Sequence, residues 1–534
     1  MYMKKGIFPF LVVFMITGSF LTSVGCGTQD PEQNPMFRPL QDVKPEILVP
    51  RMLSRNVLEG AQLVGENVRK SIEPSARFLL TDDDSYWAAY AIARQPADGQ
   101  RDLLNTYAEI RLSETSAFNT AIIEEVGNEV QYFRLQAWLN EAWTTIYQSE
   151  KIECMRLLSF DTVSTDRIRL SIDKFRSTDN PAKIRSIKLY NEPKREVENF
   201  NTVVYQRFDR DVPSEIVAGD LDYARMYARY YDVYNTVIIF DLIQWDKDGN
   251  ILIGLTDNGR ATTPQEREEV FARELAAFRQ LIAMRTNQSR DVRIIVVGIA
   301  WAGAAWADVA ELMHAHRDRV ADNLVDFMVK YNLDGLDINW EFPFTDEDWI
   351  NHDAFMRRLH SGMKNARPDS ILSTAIAAWG LNMADDIWDL FDQIQLMNYD
   401  GWDMDGFQSS LHQAQWDLNW LYEHRRLLLD KINIGIAAYG RPLTYQPFWG
   451  LWRDIEDIST TYWNNKHYNV VVGGQLMDAA YCSPALAGDK LAYALFTGAG
   501  GVMVFRLATD KLPDNPNAIV SGLENTLKRY VNNW

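Results

Sequence analysis

The sequence predicts an α/β protein in which a (β/α)8 TIM barrel follows an N-terminal β-sandwich, and two changes of pattern support this. From about Lys44 to Tyr190, short segments such as Val130–Leu139 alternate apolar and polar residues, which is typical of half-buried strands. Several short strands of this kind, separated by polar breaks, indicate a β-sandwich. From about Glu192 onward, strand-like segments alternate with longer helical ones over roughly 340 residues, enough for a barrel with insertions.

The alternation in the second region comprises eight candidate strands. They are Thr202–Gln206, Thr236–Leu242, Arg293–Ile299, Gly335–Glu341, Ile371–Ala377, Gln393–Tyr399, Ile432–Ala438 and Gly501–Leu507. Thr263-Pro264-Gln265-Glu266 predicts a helix start with a capping box, and a second helix is expected over about Val320–Lys330. A doubly wound open sheet is the alternative, but no Gly-rich phosphate loop follows an early strand.

Composition excludes some classes of partner. The 534 residues include 54 Lys and Arg against 73 Asp and Glu, a formal net charge of −19, which opposes binding to a nucleic acid backbone. Three cysteines and seven scattered histidines form no disulfide framework and no metal-ligand spacing. We therefore predict a protein without metal or cofactor.

The N-terminus reads as an export signal. Lys4 and Lys5 precede an apolar run from Gly6 to Leu21 and the small residues before Cys26. This pattern resembles a bacterial lipoprotein signal, which implies that residues 1–26 end at a lipidated Cys26 and that residues 27–43 form a tether. A plain cleaved signal is the alternative. The expected location is the cell envelope, held to the membrane by a lipid anchor only, with the outer membrane and surface display favoured by the acidic tether.

Residues 44–191 carry a second resemblance. The segments 80–87, 118–120, 133–138 and 184–190 resemble those of galactose-binding-like (discoidin-type) jelly rolls. Such modules accompany glycosidases and sometimes bind sugars. No loop here shows a clear set of sugar-binding aromatic residues and donors, so a structural spacer remains an open alternative.

One strand of the barrel region carries a chemical pattern. In Asp334-Gly335-Leu336-Asp337-Ile338-Asn339-Trp340-Glu341, strand alternation places Asp337, Asn339 and Glu341 on one face. In a barrel that face is the lumen, and burying three polar groups there is costly unless they pair or form a site. Glu341 ends the predicted strand, at the carboxyl rim where barrel active sites lie.

This segment resembles the signature of glycoside hydrolase family 18, the chitinases and endo-β-N-acetylglucosaminidases. The motifs around 395–400, 435–441 and 500–503 match in the family's order, so the resemblance covers about Asn201 to Trp534 and defines the domain 192–534. It implies substrate-assisted retaining hydrolysis with Glu341 as general acid and base. Asn339 would hold the acetamide N–H of the sugar, Asp337 would support Asn339, and Tyr399 would bind the acetamide oxygen.

The resemblance also implies substrate-binding residues. They are Asp400, Met397, Trp402, Arg441 and Phe505, the last at the position where the family has a tryptophan that floors the sugar site. The expected partner is a GlcNAc-containing glycan or glycoprotein.

Two departures keep the function open. Asn339 stands where the family has Asp, and the strand-three Ser-x-Gly-Gly motif is absent near 297–300. A related family of endo-β-N-acetylglucosaminidases has Asn at the corresponding position, and the short span from Arg441 to Gly500 favours an open groove. We therefore expect an endo-β-N-acetylglucosaminidase acting on N-glycans; the alternatives are a chitinase and a non-catalytic glycan-binding lipoprotein.

Overall fold

The computed structural model describes residues 48–67, 75–94, 102–104, 106–208, 219–254, 260–300, 308–378, 381–400, 409–425, 427–442, 450–451, 466–472, 475–532 and 534. For residues 92–94 and 102–104 and those within 441–480, it describes the backbone only. The predicted signal with Cys26, the whole of the predicted tether 27–43, Trp402 and the side chain of Arg441 lie outside the described part. The domain bounds 1–26, 27–43, 44–191 and 192–534 remain predictions.

The N-terminal unit is antiparallel. Its strands are β1 (Gln62–Asn67), β2 (Trp87–Ala89), β3 (Ile92–Arg94), β4 (Asp102–Leu104), β5 (Thr106–Val126), β6 (Val130–Leu139), β7 (Ala142–Ser149), β8 (Met155–Phe175) and β9 (Ala182–Tyr190). Seven of them form one sheet in the order β2-β9-β5-β8-β6-β7 with β1 beside β5, and β3 and β4 form a separate pair.

Two long strands of 21 residues each, β5 and β8, run through the whole sheet. Their pairing shifts register between Arg111 and Ser116 and again between Phe118 and Thr120. One half of β5 pairs with β1 and the other half with β9. Buried residues from both halves of β5 belong to one apolar cluster, so the predicted N-terminal β unit is confirmed.

The second unit contains the remaining strands. They are β10 (Asn201–Gln206), β11 (Thr236–Ile239), β12 (Ile243–Trp245), β13 (Ile251–Ile253), β14 (Arg293–Ile299), β15 (Gly335–Ile338), β16 (Ile371–Ile376), β17 (Gln393–Leu396), β18 (Ile432–Ala437), β19 (Tyr439–Pro442), β20 (Gly450–Leu451), β21 (Lys466–Val472), β22 (Gln475–Tyr481) and β23 (Gly501–Phe505). Eight parallel strands close into a barrel in the order β10-β11-β14-β15-β16-β17-β18-β23. The predicted (β/α)8 barrel is confirmed, and the open-sheet alternative is excluded.

Helices cover the outside of the barrel. They are α1 (Leu221–Ala228), α2 (Tyr230–Val233), α3 (Pro264–Ala283), α4 (Val309–Lys330), α5 (Asp346–Ala366), α6 (Asp385–Trp388), α7 (Leu411–Arg425), α8 (Pro484–Thr497) and α9 (Ile519–Tyr530). The capping box predicted at Thr263 and Glu266 starts α3. The helix predicted at Val320 begins eleven residues earlier, at Val309, because Asp308 caps it by accepting from the N–H groups of Ala310 and Glu311.

Polar side chains inside the barrel bond to one another. Gln395 donates to the Ser373 hydroxyl (3.1 Å) and to Gln393 Oε1 (3.2 Å). Asn433 donates to Gln395 Oε1 (3.1 Å), and Gln393 donates to Asn201 Oδ1 (3.2 Å). Because these amides satisfy each other, the lumen holds polar groups without the cost of unmade hydrogen bonds.

The two units share a buried interface. Arg156 on β8 pairs with Asp489 on α8 at 3.1 Å, and both side chains are only 1% exposed. The Ser159 N–H and the Tyr147 hydroxyl also donate to Asp489. Leu48, Ile122, Met155 and Leu157 belong to the same apolar cluster as the barrel's helix layer. The N-terminal unit therefore packs directly against α7 and α8 of the barrel unit.

A small antiparallel sheet occupies the span between β18 and α8. Its strand order is β20-β19-β22-β21. None of the helices within the described residues combines the length and the hydropathy needed to cross a membrane.

Candidate active site

The carboxyl end of β15 carries the predicted chemical segment. The strand ends at Ile338, three residues before the predicted end at Glu341. Its neighbour β14 ends at Ile299, whose carbonyl accepts from the Asn339 N–H (2.8 Å). Glu341 therefore lies just above the strand, at the rim of the barrel.

Asp337 lies inside the barrel, as predicted from strand alternation. It is fully buried, and its Oδ2 accepts from the Tyr205 hydroxyl of β10 at 3.0 Å. Burial raises the pKa of Asp337 to about 6, while hydrogen bonds from Ser373 and Tyr205 lower it. Its neighbours Leu336 and Ile338 pack in the helix-side cluster.

Glu341 combines burial with nearby negative charge. Burial raises the pKa of its carboxyl to about 7, and the charges of Asp400 and Asp337 add to the rise. A hydrogen bond from Asn339 opposes the rise. A carboxyl that titrates near neutral pH can both give and take a proton, as a general acid and base must.

Asn339 lies between these two carboxyl groups in the sequence and contacts Glu341. Since its hydrogen bond lowers the pKa of Glu341, the amide NH2 donates to the carboxylate. Its Oδ1 is buried and has no hydrogen-bond partner among the described residues. A buried acceptor without a partner is costly in a protein interior, and a ligand N–H would satisfy it.

Tyr399 and Asp400 follow strand β17 and reach the same place. Burial and the charges of Asp400, Glu341 and Asp337 raise the pKa of Tyr399 well above its ordinary value, so its hydroxyl stays protonated. Asp400 has a left-handed backbone (φ 64°), and its Oδ1 accepts from the Tyr439 hydroxyl at 2.7 Å.

Phe505 lies at the centre of an aromatic group. Its ring is stacked on Tyr399 (centroids 6.1 Å apart, planes at 28°) and lies near Tyr205 (5.7 Å) and Phe240 (5.5 Å). Met397 is partly buried and packs, like Phe505 and Tyr399, against a buried apolar cluster that includes Tyr205. Phe505 and Met397 therefore lie with the predicted site residues, and the predicted roles of Trp402 and Arg441 stay predictions.

Three residues that sequence reasoning did not select join the site. Tyr205 bonds Asp337 and Tyr439 bonds Asp400, while Ser373 lowers the pKa of Asp337. Tyr205 and Ser373 lie on strands whose inward positions mix polar and apolar residues. This mixture could have indicated both residues from the sequence, since a hydroxyl that points into a barrel needs a polar partner there.

A comparison with protein families identifies this arrangement. The model of the glycosyl hydrolases family 18 matches residues 224–510, more than half of the chain. The chain belongs to glycosyl hydrolases family 18. The match spans Asp337, Glu341, Tyr399 and Phe505, so the predicted family is confirmed.

Similar proteins in this family carry chitinase names. The chain is 26% identical over 212 residues to a probable endochitinase of Caenorhabditis elegans, covering 35% of this chain and 34% of that protein. It is 32% identical over 98 residues to chitinase A1 of Niallia circulans, covering 18% and 13%. The matches thus span about a third or less of these relatives. A solved chitinase from Bacteroides thetaiotaomicron is 16% identical with a TM-score of 0.47, covering 62% of this chain and 97% of that one.

The raised pKa of Glu341 predicts a pH-dependent effect of Glu341→Gln on stability. A carboxyl whose pKa rises from 4.5 in the unfolded chain to about 7 stabilises the fold below pH 4.5, and this contribution is lost as the pH passes 7. Removing the carboxyl should therefore favour the variant at pH 8 relative to pH 5, by on the order of 1–3 kcal/mol at about 1.4 kcal/mol per pKa unit.

Urea unfolding of wild type and variant at pH 5 and pH 8 measures this difference. Glu269→Gln, at an exposed position on α3, is the control and should change nothing between the two pH values. An equal effect of Glu341→Gln at both pH values would contradict a carboxyl titrating near 7.

Proposed function

We propose that this chain is a retaining, endo-acting glycosidase that cleaves β-1,4 linkages following a GlcNAc residue by substrate assistance. The observation that supports this most is the pairing of a carboxyl titrating near 7 with a partnerless amide oxygen two residues away. The first is suited to protonate a leaving group, and the second to accept the N–H of a sugar's acetamido group.

In the first step Glu341 gives its proton to the glycosidic oxygen, and the bond from that oxygen to the anomeric carbon breaks. The acetamido oxygen of the same sugar bonds to the anomeric carbon, which yields an oxazolinium ion and an ionised Glu341. Asn339 Oδ1 accepts the acetamido N–H as positive charge develops on it. Tyr399, which stays protonated, donates its hydroxyl to the acetamido oxygen.

In the second step the Glu341 carboxylate takes a proton from a water that attacks the anomeric carbon. The bond to the acetamido oxygen breaks, and the sugar leaves with its original β configuration. Two displacements at one carbon give this retention without a second catalytic carboxylate. Asp337, whose Oδ2 accepts from the Tyr205 hydroxyl, contributes negative charge to the site.

Within this class we favour an endo-β-N-acetylglucosaminidase acting on N-glycans. A neutral amide supplies a weaker bond to the acetamido N–H than a carboxylate, which disfavours fast turnover of simple chitin. A chitinase is the second candidate, favoured by the names of the relatives from Caenorhabditis elegans and Niallia circulans. A non-catalytic glycan-binding protein is the third, favoured by the absence of the family's aspartate at position 339.

Product analysis separates these three candidates. The protein is incubated with an N-glycosylated protein and with chitooligosaccharides, and products are read by mass spectrometry. We expect released glycans with one GlcNAc left on the protein, and activity that declines as the pH rises through about 7 because Glu341 must be protonated.

Glu341→Gln should lower the rate by at least about 10³-fold while the fold persists. Soluble chitobiose from the oligosaccharides alone would indicate a chitinase. Binding without any product in the wild type would indicate the non-catalytic protein, and full activity of Glu341→Gln would refute the role of Glu341.

Position 339 provides a second test. In Asn339→Asp, an ionised aspartate strengthens the bond to the acetamido N–H, and a gain of about 1 kcal/mol corresponds to roughly fivefold in kcat. The added like charge should also raise the pKa of Glu341, so activity should persist to a higher pH by up to about one unit.

The pH profile of kcat for Asn339→Asp against wild type measures both effects. Asn339→Ala, which removes the acceptor, should lower kcat and serves as the opposing control. An unchanged rate and profile in Asn339→Asp would contradict the proposed bond to the acetamido group.

We also propose that the protein is exported and anchored in the cell envelope through a lipidated Cys26. The proposal rests on the basic and apolar N-terminal pattern alone. Metabolic labelling of cells with an alkyne fatty acid should mark the wild type and not Cys26→Ser. Label retained in Cys26→Ser, or wild-type protein found unlabelled, would contradict the lipid anchor.

A further inference from the structure

Two buried charged side chains lie beneath the site and take no part in the steps above. Lys490, on α8, has no solvent exposure, and Asp417, on α7, is 8% exposed. Charged side chains are rarely buried this deeply without a specific partner. Their partners connect them to the two strand ends that carry Tyr399 and Tyr439.

Both the N–H and the carbonyl of Gly435, on β18, make hydrogen bonds with side chains. Lys490 Nζ donates to the Gly435 carbonyl at 2.9 Å and to the Ser409 hydroxyl at 2.9 Å. The Gly435 N–H donates to Asn398 Oδ1 at 3.1 Å, and Asn398 Nδ2 donates to Asp417 Oδ2 at 2.5 Å. These four bonds join α7, α8, β18 and the end of β17 into one network.

The network lies in direct contact with the site. Asn398 immediately precedes Tyr399, so its hydrogen bonds restrict where the tyrosine backbone can lie. Gly435 approaches so closely that a Cβ there would lie 3.2 Å from Tyr399 Cε1 and 2.3 Å from the Leu396 carbonyl. Any shift of Gly435 or Asn398 is therefore transmitted to the ring of Tyr399.

The two charges depend on each other. Burial raises the pKa of Asp417 to about 7, and the positive charge of Lys490 opposes that rise. Burial lowers the pKa of Lys490 to about 8, and the negative charge of Asp417 opposes that fall. Removing one member of a buried charge pair leaves the other uncompensated.

We propose that Asp417 and Lys490 are positioning residues that hold Asn398 and Gly435 so that Tyr399 and Asp400 meet the substrate in the reactive geometry. This inference rests on the proposed function, because it assumes that Tyr399 binds the acetamido group. Misplacement of a binding group by about 1 Å can cost on the order of 100-fold in rate.

The test compares Lys490→Met with the wild-type full-length protein. Methionine keeps much of the lysine volume and removes the donor to Gly435 and Ser409. We expect kcat to fall at least about tenfold with KM changed less than about threefold, because binding elsewhere in the groove is unaffected. The affinity for a thiazoline analogue of the cyclised acetamido intermediate should fall in parallel with kcat.

Asp489→Asn is the matched control, because the two residues are adjacent on α8. Asp489 faces Arg156, Tyr147 and Ser159 of the N-terminal unit and makes no hydrogen bond or ion pair with a site residue in the part of the chain that the structure describes. This variant also disturbs a buried ion pair, so its melting temperature should fall as in Lys490→Met while its kcat stays within twofold of wild type. Should Lys490→Met fail to fold, Asp417→Asn is the second variant, because asparagine keeps the shape of the aspartate side chain. Its kcat should also fall, but by less than that expected for Lys490→Met.

The outcomes distinguish this inference from the proposed function. If Glu341→Gln abolishes turnover but Lys490→Met and Asp417→Asn keep full kcat, the positioning role is refuted and the function stands. Equal kcat losses in Lys490→Met and Asp489→Asn would refute it as well, since general destabilisation would explain both. If the wild type hydrolyses nothing yet binds the thiazoline analogue, weaker binding by Lys490→Met supports the positioning role alone. A wild type that neither hydrolyses nor binds refutes both.

Discussion

The site depends on the burial of carboxyl groups at the carboxyl end of β15. The charges of Asp400 and Asp337 act on Glu341, and burial penalises the ionised forms of Asp337 and Glu341. Each charge has a compensating donor: Tyr205 for Asp337, Asn339 for Glu341 and Tyr439 for Asp400. For Asp337 and Glu341 the donors favour the ionised form, whereas burial favours the neutral form. Only the combination leaves Glu341 able to change its protonation state near neutral pH.

Elements both inside and outside the barrel lie behind these groups. Inside the barrel, a satisfied amide network lies below the site and links β16, β17 and β18. Outside it, α7 and α8 carry both the Asp417–Lys490 pair and contacts with the N-terminal unit: Gln415 donates to the Met155 carbonyl at 3.1 Å, and Asp489 pairs with Arg156. The N-terminal sheet therefore packs on the same two helices that contact the strand ends of the site.

The sequence was sufficient for the barrel and for the segment that carries Glu341. Period-two apolar strands and a capping box are local patterns, so β14 was predicted with both ends correct and α3 with its start. The remaining partners were not predictable because they are distant in sequence. Tyr205 is 132 residues from Asp337, and Lys490 is 55 residues from Gly435. A buried lysine in an apolar helix gives no signal of what it bonds until the strands that face it are positioned.

The amide at position 339 illustrates how a single substitution changes more than one property of the site. An aspartate there would hold the acetamido N–H more strongly, but its charge would also raise the pKa of Glu341 further above 7 and hinder the ionisation that the second step requires. An asparagine donates to Glu341 and keeps its oxygen for the ligand, so it favours the ionised acid while weakening the bond to the sugar. The easier ionisation of Glu341 and the weaker bond to the sugar oppose each other, so the neutral residue is compatible with catalysis. The first step loses more stabilisation than the second, because the bond to the acetamido N–H acts there. The balance holds only while Tyr399 remains in place, which makes the packing of Gly435 and Asn398 beneath it part of the same constraint.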